Sequence, residues 1–168
     1  MFAEISVDML ELNPFSLIGK DNFLLTVGGE GRWNTMTGGW GSMGFYWGKP
    51  SFTVAVRQSR YTWQFMEEND SFTVSFLPSD YAWVLSFCGS HSGRETDKAR
   101  QMGIEPIALD NGMITFDKAN LVFCCTKVYQ STIDSNGFSP LWVNDKWYGE
   151  GDYHTLYTGS IDKVFCSD

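Results

Sequence analysis

Large apolar residues alternate with small or polar ones in short runs along the chain, and glycine-containing breaks separate the runs. Phe52, Val54 and Val56 alternate with Thr53 and Ala55; Phe72, Val74 and Phe76 alternate with Thr73 and Ser75. A period of two is the pattern of half-buried β-strands. Comparable runs predict strands over residues 23–27, 35–40, 120–130 and 153–165, the last long enough to bend across a sheet corner. Between them the pattern admits only short helices. One is predicted over 62–69 through Trp63, Phe65 and Met66, a second over 81–87 behind Ser79 and Asp80 as capping candidates, and a third over 94–102, stopping at Gly103.

Strands in series with helices inserted singly predict a mostly β fold, a closed antiparallel barrel with helical excursions. A doubly wound parallel sheet would alternate strand and helix throughout, which this chain does not. No repeat, low-complexity segment or linker-like stretch divides the 168 residues, so a single domain over 1–168 is expected.

Charge narrows the partners. With 20 Asp and Glu against 12 Lys and Arg, the net charge is −8, which argues against a nucleic-acid backbone or an anionic membrane surface. No run reaches the roughly 18 apolar residues of a membrane span, and a soluble, cytoplasmic protein is expected. Cys88, Cys124, Cys125 and Cys166 show no C-x-x-C spacing and read as reduced, buried thiols. Against the acidic background the cations are focused: five of the 12, Arg57, Arg60, Arg94, Lys98 and Arg100, fall between positions 57 and 100.

Several motifs are near misses. Residues 39–44 spell G-x-G-x-x-G, but Gly48 and Pro50 follow where a dinucleotide fold needs a helix. Residues 89–93 resemble a hydrolase elbow with His91 where the nucleophile must stand. With only His91 and His154 and no clustered cysteines, a preformed metal site is not expected.

Three polar segments remain. The run Arg57, Gln58, Ser59, Arg60, Tyr61 and Thr62 sets two guanidiniums and three hydroxyls at a strand end and a helix start, the chemistry that holds a phosphate monoester. Taken alone, it reads equally well as a helix capped by Thr62 with solvated arginines. Ser90, His91, Ser92, Gly93 and Arg94 lead toward a second helix start with Lys98 one turn further on. Asn34, Thr35, Met36 and Thr37, before Gly38, Gly39 and Trp40, offer small residues beside which a flat ring can approach the backbone. The alternative there is a glycine-bent strand.

In these segments, together with Glu67 to Asp70 before the Phe72 strand and Cys88-Gly89-Ser90 before Ser92 to Lys98, the chain resembles the flavin reductase-like family with the FMN-binding split barrel. The likeness extends over about residues 17–165. It implies a Greek-key split β-barrel with a few short helices, FMN as cofactor, and a homodimer with its flavin sites near the subunit interface. Asn34, Thr35, Met36, Thr37 and Trp40 would then lie along the isoalloxazine, and Arg57, Ser59, Arg60, Tyr61 and Thr62 would hold the phosphate and ribityl chain. Cys88, Gly89, Ser90, Ser92, Gly93, Arg94 and Lys98 match the second flavin-contacting segment. Relatives that take electrons from NADH or NADPH often carry Gly-Asp-His near the end; here Tyr153 intervenes between Gly151-Asp152 and His154, the residue that would mark the donor site. The resemblance implies an FMN-dependent oxidoreductase passing electrons from a reduced nicotinamide to a flavin, ferric complex or protein acceptor. The alternative is an FMN-binding electron-transfer protein without its own nicotinamide site.

Overall fold

The computed structural model describes residues 1–109 and 111–167. The chain forms β1 (Ala3–Ile5), α1 (Pro14–Ser16) running on as a π turn through Leu17–Asp21, β2 (Phe23–Gly29), β3 (Arg32–Gly38), β4 (Gly41–Tyr46) and β5 (Lys49–Arg57). Then come α2 (Tyr61–Glu68), β6 (Ser71–Phe76), α3 (Ala82–Ser90), α4 (Lys98–Met102) and the β7 (Pro106–Ala108) and β8 (Ile114–Phe116) hairpin. β9 (Leu121–Thr132), α5 (Leu141–Tyr148) and β10 (His154–Cys166) complete it. The main sheet is antiparallel with order β3-β2-β6-β9-β10-β5-β4, and β1 joins β10. Its two ends, β3 and β4, are consecutive in the chain and turn at Gly39 and Trp40, so the sheet curls into a mostly β split barrel, as expected.

The alternation along the strands fills two cores. Phe23, Leu25 and Val27 of β2, Phe52, Val54 and Val56 of β5, Phe72, Val74 and Phe76 of β6, Phe123 and Cys125 of β9 and Tyr157 of β10 pack together, with Phe65 and Met66 of α2. Their neighbours Leu24, Val122, Cys124 and Phe165 point the other way, into a second cluster built from Val84, Leu85 and Cys88 of α3, Ala99 and Met102 of α4, and Phe116 of β8. Burial on both sides of these strands is what holds α3, α4 and the β7–β8 hairpin against the barrel. It also separates the adjacent Cys124 and Cys125 into different cores, each fully buried, with burial pushing the Cys124 thiol up to about 11 and the Cys125 thiol well above its ordinary value.

β10 carries the longest pairings. It lies between β9 and β5 over its first half, and its register with β9 shifts between Thr158 and Gly159 and again between Ile161 and Lys163. Those shifts are the bend expected of the 153–165 run. The expected 35–40 strand instead ends at Gly38, and the 94–102 helix begins only at Lys98, because Asp97 caps it by accepting the Arg100 N–H at 3.1 Å. Gly103 closes that helix in the left-handed conformation, φ 62°. β4 and α5 lie where no element was expected. β4 is almost wholly exposed and includes two glycines, and α5 buries only Tyr148, so neither shows a hydrophobic period.

A Cβ on Gly159 would stand 2.9 Å from both the Cys125 Cβ and the Phe72 ring. Gly159→Ala is therefore expected to cost about 1–3 kcal/mol by overpacking, read as a lower denaturant midpoint at unchanged slope; an unaltered midpoint would show that the bend absorbs the methyl.

Candidate functional site

Where β3, the start of α2 and the α3–α4 connection meet, they enclose a cavity of about 190 Å³. Asn34 and Met36 come from β3, Ser59, Arg60, Tyr61 and Thr62 from the turn into α2, Ser90 from the end of α3, His91, Ser92, Gly93 and Arg94 from the connection, and Lys98 from the first turn of α4. Among the described residues, no carboxylate lines it. In a chain of net charge −8, a recess with Arg60, Arg94 and Lys98 and no acid is built for an anion.

Each part is held from behind. The Asn34 amide donates to the Thr62 hydroxyl at 2.8 Å, and Gly93 presses so close that a Cβ there would fall 1.9 Å from the Asn34 Oδ1. α2 starts at Arg60 with no side chain capping it, leaving the first-turn N–H groups beside the cavity; Thr62 is the second helical residue and not the cap. Arg60 donates to the Gly89 carbonyl at 2.9 Å, and burial draws its pKa down. Arg94 lies over the Tyr61 ring at 4.8 Å. The Ser92 hydroxyl oxygen accepts the Arg94 N–H at 3.2 Å, while Ser90 turns back to the Ser86 carbonyl at 2.9 Å.

Lys98 is the most constrained of these groups. It is 5 % exposed, and its ammonium donates to the Thr35 carbonyl at 2.8 Å and the Cys88 carbonyl at 3.1 Å. An ammonium has three donors. Desolvation lowers its pKa to about 8, the shift expected of a cation buried without a counter-ion. Cys88 and Gly89 thus contribute carbonyls that position Lys98 and Arg60. The Cys88 thiol itself is buried against the Met102 sulfur at 3.7 Å, its pKa pushed up to about 11, the state of an inert thiol.

Other sequence-predicted residues lie outside the cavity. Thr35 bonds the Thr26 hydroxyl at 2.9 Å and Thr37 donates to the Leu85 carbonyl at 2.5 Å, so both hydroxyls are engaged within the fold. Arg57 is not brought to the cavity. The period of two sets it on the same face of β5 as Thr53 and Ala55, where it donates to the Asp152 carbonyl at 2.6 Å and the Trp147 carbonyl at 3.0 Å and lies 5.2 Å from the Tyr148 ring centroid. It ties α5 down and is favourably placed as a cation at a helix C-terminus. The Asp152 carboxylate accepts the Ser59 hydroxyl at 2.6 Å and the Ser59 N–H at 3.2 Å, which joins this clamp to the cavity loop.

His154 pairs with Arg57 across β5 and β10 and is covered by α5. It is 9 % exposed, shares a 2.8 Å hydrogen bond with the Tyr148 hydroxyl and lies 4.8 Å from Trp40, which meets Trp147 edge to face at 5.0 Å. Trp40 therefore belongs to this aromatic cluster and not to the cavity. Desolvation first and the Arg57 charge second lower the His154 pKa to about 4, so the ring is neutral near pH 7. Sequence reasoning did not find α5, the helix that supplies Trp147 and Tyr148, because it has no apolar period; the pairing of Asp152 with the 57–62 loop had no sequence signal. His91, read in the sequence as part of the 90–94 polar segment but not as a flavin contact, also lines the cavity, its ring stacked on Phe87 at 4.0 Å.

Fold and site together define an antiparallel split barrel with a cation-lined cavity at the start of α2. A family model, the flavin reductase like domain, matches residues 16–168, and the chain belongs to that family. Among curated proteins, none matches the sequence significantly. Solved structures share the fold at low identity. Flavoredoxin from Methanosarcina acetivorans is 23 % identical with a TM-score of 0.67, covering 88 % of this chain and 69 % of its own. Flavoredoxin of Desulfovibrio vulgaris (Miyazaki F) is 20 % identical with a TM-score of 0.70, covering 99 % and 78 %. An NADH:FAD oxidoreductase from Streptomyces globisporus C-1027 is 16 % identical with a TM-score of 0.66, covering 88 % and 75 %.

Because His154 binds its proton less readily folded than unfolded, the unfolded chain takes up more protons between pH 6.5 and about 4. Stability should fall as pH drops through that window, and His154→Gln should flatten that part of the profile. Thermal melts at fixed ionic strength from pH 4 to 7 measure it; equal slopes for both proteins would show that His154 is not the group responsible.

Proposed function

We propose that the protein is an FMN-dependent oxidoreductase of the flavin reductase type, passing electrons from NADH or NADPH through FMN to a flavin, ferric complex or protein acceptor. The observation that carries the FMN assignment is the cavity itself, with Arg60, Arg94 and Lys98 converging beside an uncapped helix start and no carboxylate among them. A phosphate monoester fits that donor set: it accepts hydrogen bonds at several oxygens and supplies the counter-charge that buried Lys98 lacks. The volume of about 190 Å³ suits the phosphate end of the cofactor and not its ring system, which requires the surface beyond Asn34 and Met36.

FMN, when bound, supplies hydride acceptance and onward electron transfer. The chain's contribution is to bind and orient it. Arg60, Arg94 and Lys98 hold the phosphate with the amides of Tyr61 and Thr62 and the hydroxyl of Ser92; Asn34 and Met36 lie toward the ring; Cys88, Gly89 and Thr35 act through the carbonyls that aim the cations. Arg57 and Ser59 belong to the clamp behind the loop, and Trp40 and His154 to the aromatic cluster. A cytoplasmic homodimer completes the proposal. The β4 edge and the turn that follows it, where Phe45 is 68 % and Trp47 63 % exposed, offer a second copy an apolar surface.

One observation favours a second reading, an FMN-binding electron-transfer protein without a nicotinamide site. His154 is enclosed by Trp40, Tyr148 and α5, so a dinucleotide reaches it only if α5 moves. Rapid mixing of the FMN-loaded protein with NADH or NADPH under anaerobic conditions separates the two. Bleaching of the flavin absorbance with saturable dependence on the dinucleotide is expected of the reductase. An unbleached flavin that dithionite still reduces would overturn the enzyme assignment in favour of the carrier.

The phosphate assignment has its own measurement. FMN should bind more tightly than riboflavin, and Arg60→Ala should weaken FMN by about 1.5–3 kcal/mol, the range of a charge-assisted hydrogen bond, with little change for riboflavin. As pH rises through about 8, Lys98 in the empty protein loses its proton, so the FMN preference should shrink while riboflavin binding stays level. Equal affinity for the two flavins at pH 7 would sink the assignment.

A further inference from the structure

On the outer face of β4, β5 and β10, roofed by α5, lies a second recess of about 410 Å³ that the FMN reading does not use. Ala55 and Leu156 form its floor, Val143 and Phe138 its roof side, and Trp40 with Trp147 one end. Their chemistry is the reverse of the first cavity: among the described residues, no charged side chain lines the recess. The polar groups within reach are mostly engaged already. The Thr53 hydroxyl is bonded to that of Thr158 at 2.8 Å, and the Tyr148 hydroxyl to His154 at 2.8 Å. Only the exposed Ser42, at the start of β4, adds a further hydroxyl.

We infer that this recess is a binding site for a small, uncharged, planar apolar molecule of one or two fused rings, such as a phenol, naphthol or quinone. Size sets the first bound, since the volume falls within the range that holds small organic ligands. Charge sets the second: an ionised group placed among these walls would lose its hydration with nothing to replace it. Shape sets the third, because aromatic walls contact a flat ring over the largest area. Trp40 and Trp147, about 40 % exposed each in a strongly acidic protein, offer that surface to solvent as the chain stands. A dinucleotide is a poor fit, since its phosphates would find no cation on these walls.

The recess is also mechanically linked to the cofactor loop. Arg57 ties the end of α5 through the Trp147 carbonyl, and Asp152 ties Ser59, so the roof of one recess and the wall of the other share one clamp. The inference does not depend on FMN, because direct binding is the readout.

Calorimetric titration of 2-naphthol at pH 7 into the full chain, with and without FMN, tests it, with 2-naphthoate as a charged analogue of the same shape. One site per chain is expected, at least about tenfold tighter for the naphthol than for the naphthoate. Val143→Trp should fill the recess and weaken the naphthol by about tenfold or more while FMN uptake stays as in the parent. If that variant does not fold, Trp147→Ala, on the exposed end wall, should weaken it likewise. No heat of binding, equal affinities for the two analogues, or undiminished binding in a folded variant would overturn the proposal. So would loss of a dimer in sedimentation by Val143→Trp with no naphthol binding by the parent, which would assign the recess to a second copy of the chain. Failure of FMN binding with naphthol binding intact would remove the cofactor reading and leave this one standing.

Discussion

The register of β10 against two partners at once is the constraint on which the rest of the molecule depends. Paired with β5 from His154 opposite Arg57 onward, and with β9 on its other side, β10 has no freedom to slide by one residue without exchanging its buried and outer faces. That register sends Tyr157 into the barrel, where its ring is fully buried and its hydroxyl donates to Glu67 of α2 at 2.6 Å, so the strand also positions the helix that opens at the cation-lined cavity. The same register puts His154 and Leu156 on the outer face beneath α5. Both recesses hang from one strand.

Their contrast follows from where water is displaced and by what. In the first, three cations converge among backbone carbonyls in an otherwise acidic molecule, and the buried ammonium of Lys98 is held by two carbonyl dipoles alone. Taking such a charge out of water is costly, and burial accordingly lowers the Lys98 pKa to about 8. In the second, the Thr53 hydroxyl pairs with that of Thr158 and the Tyr148 hydroxyl with the His154 ring, which leaves apolar walls. Arg57, which by composition belongs to the first, serves the second, because strand geometry and not sequence neighbourhood decides its direction.

Much of the barrel was legible because its strands keep a clean alternation: Phe52 to Val56 and Phe72 to Phe76 fall inside β5 and β6, and their large residues occupy the inner core. β4 was not legible, since Gly41, Gly44 and an exposed face erase the alternation, and α5 was not, since one buried tyrosine makes no period. For the site, the 59–62 turn, Asn34, Met36 and the 90–98 segment do come together. Adjacency misled at Arg57, Thr35 and Thr37, where the next residue over faces elsewhere, and at Trp40, which a turn carries to the opposite side. The partnership of Ser59 with Asp152, 93 residues apart, is a fact of topology alone.

Cys124 and Cys125 occupy successive positions on β9, one under the α3 layer and one inside the barrel. Both thiols are too basic and too enclosed to react in the folded chain, so neither can drain electrons from a cofactor by thiol exchange. The pair is instead a two-channel clock: an alkylating reagent reaches Cys124 when the helical layer lifts and Cys125 only when the barrel itself opens, so the order of their modification reports which layer breathes first.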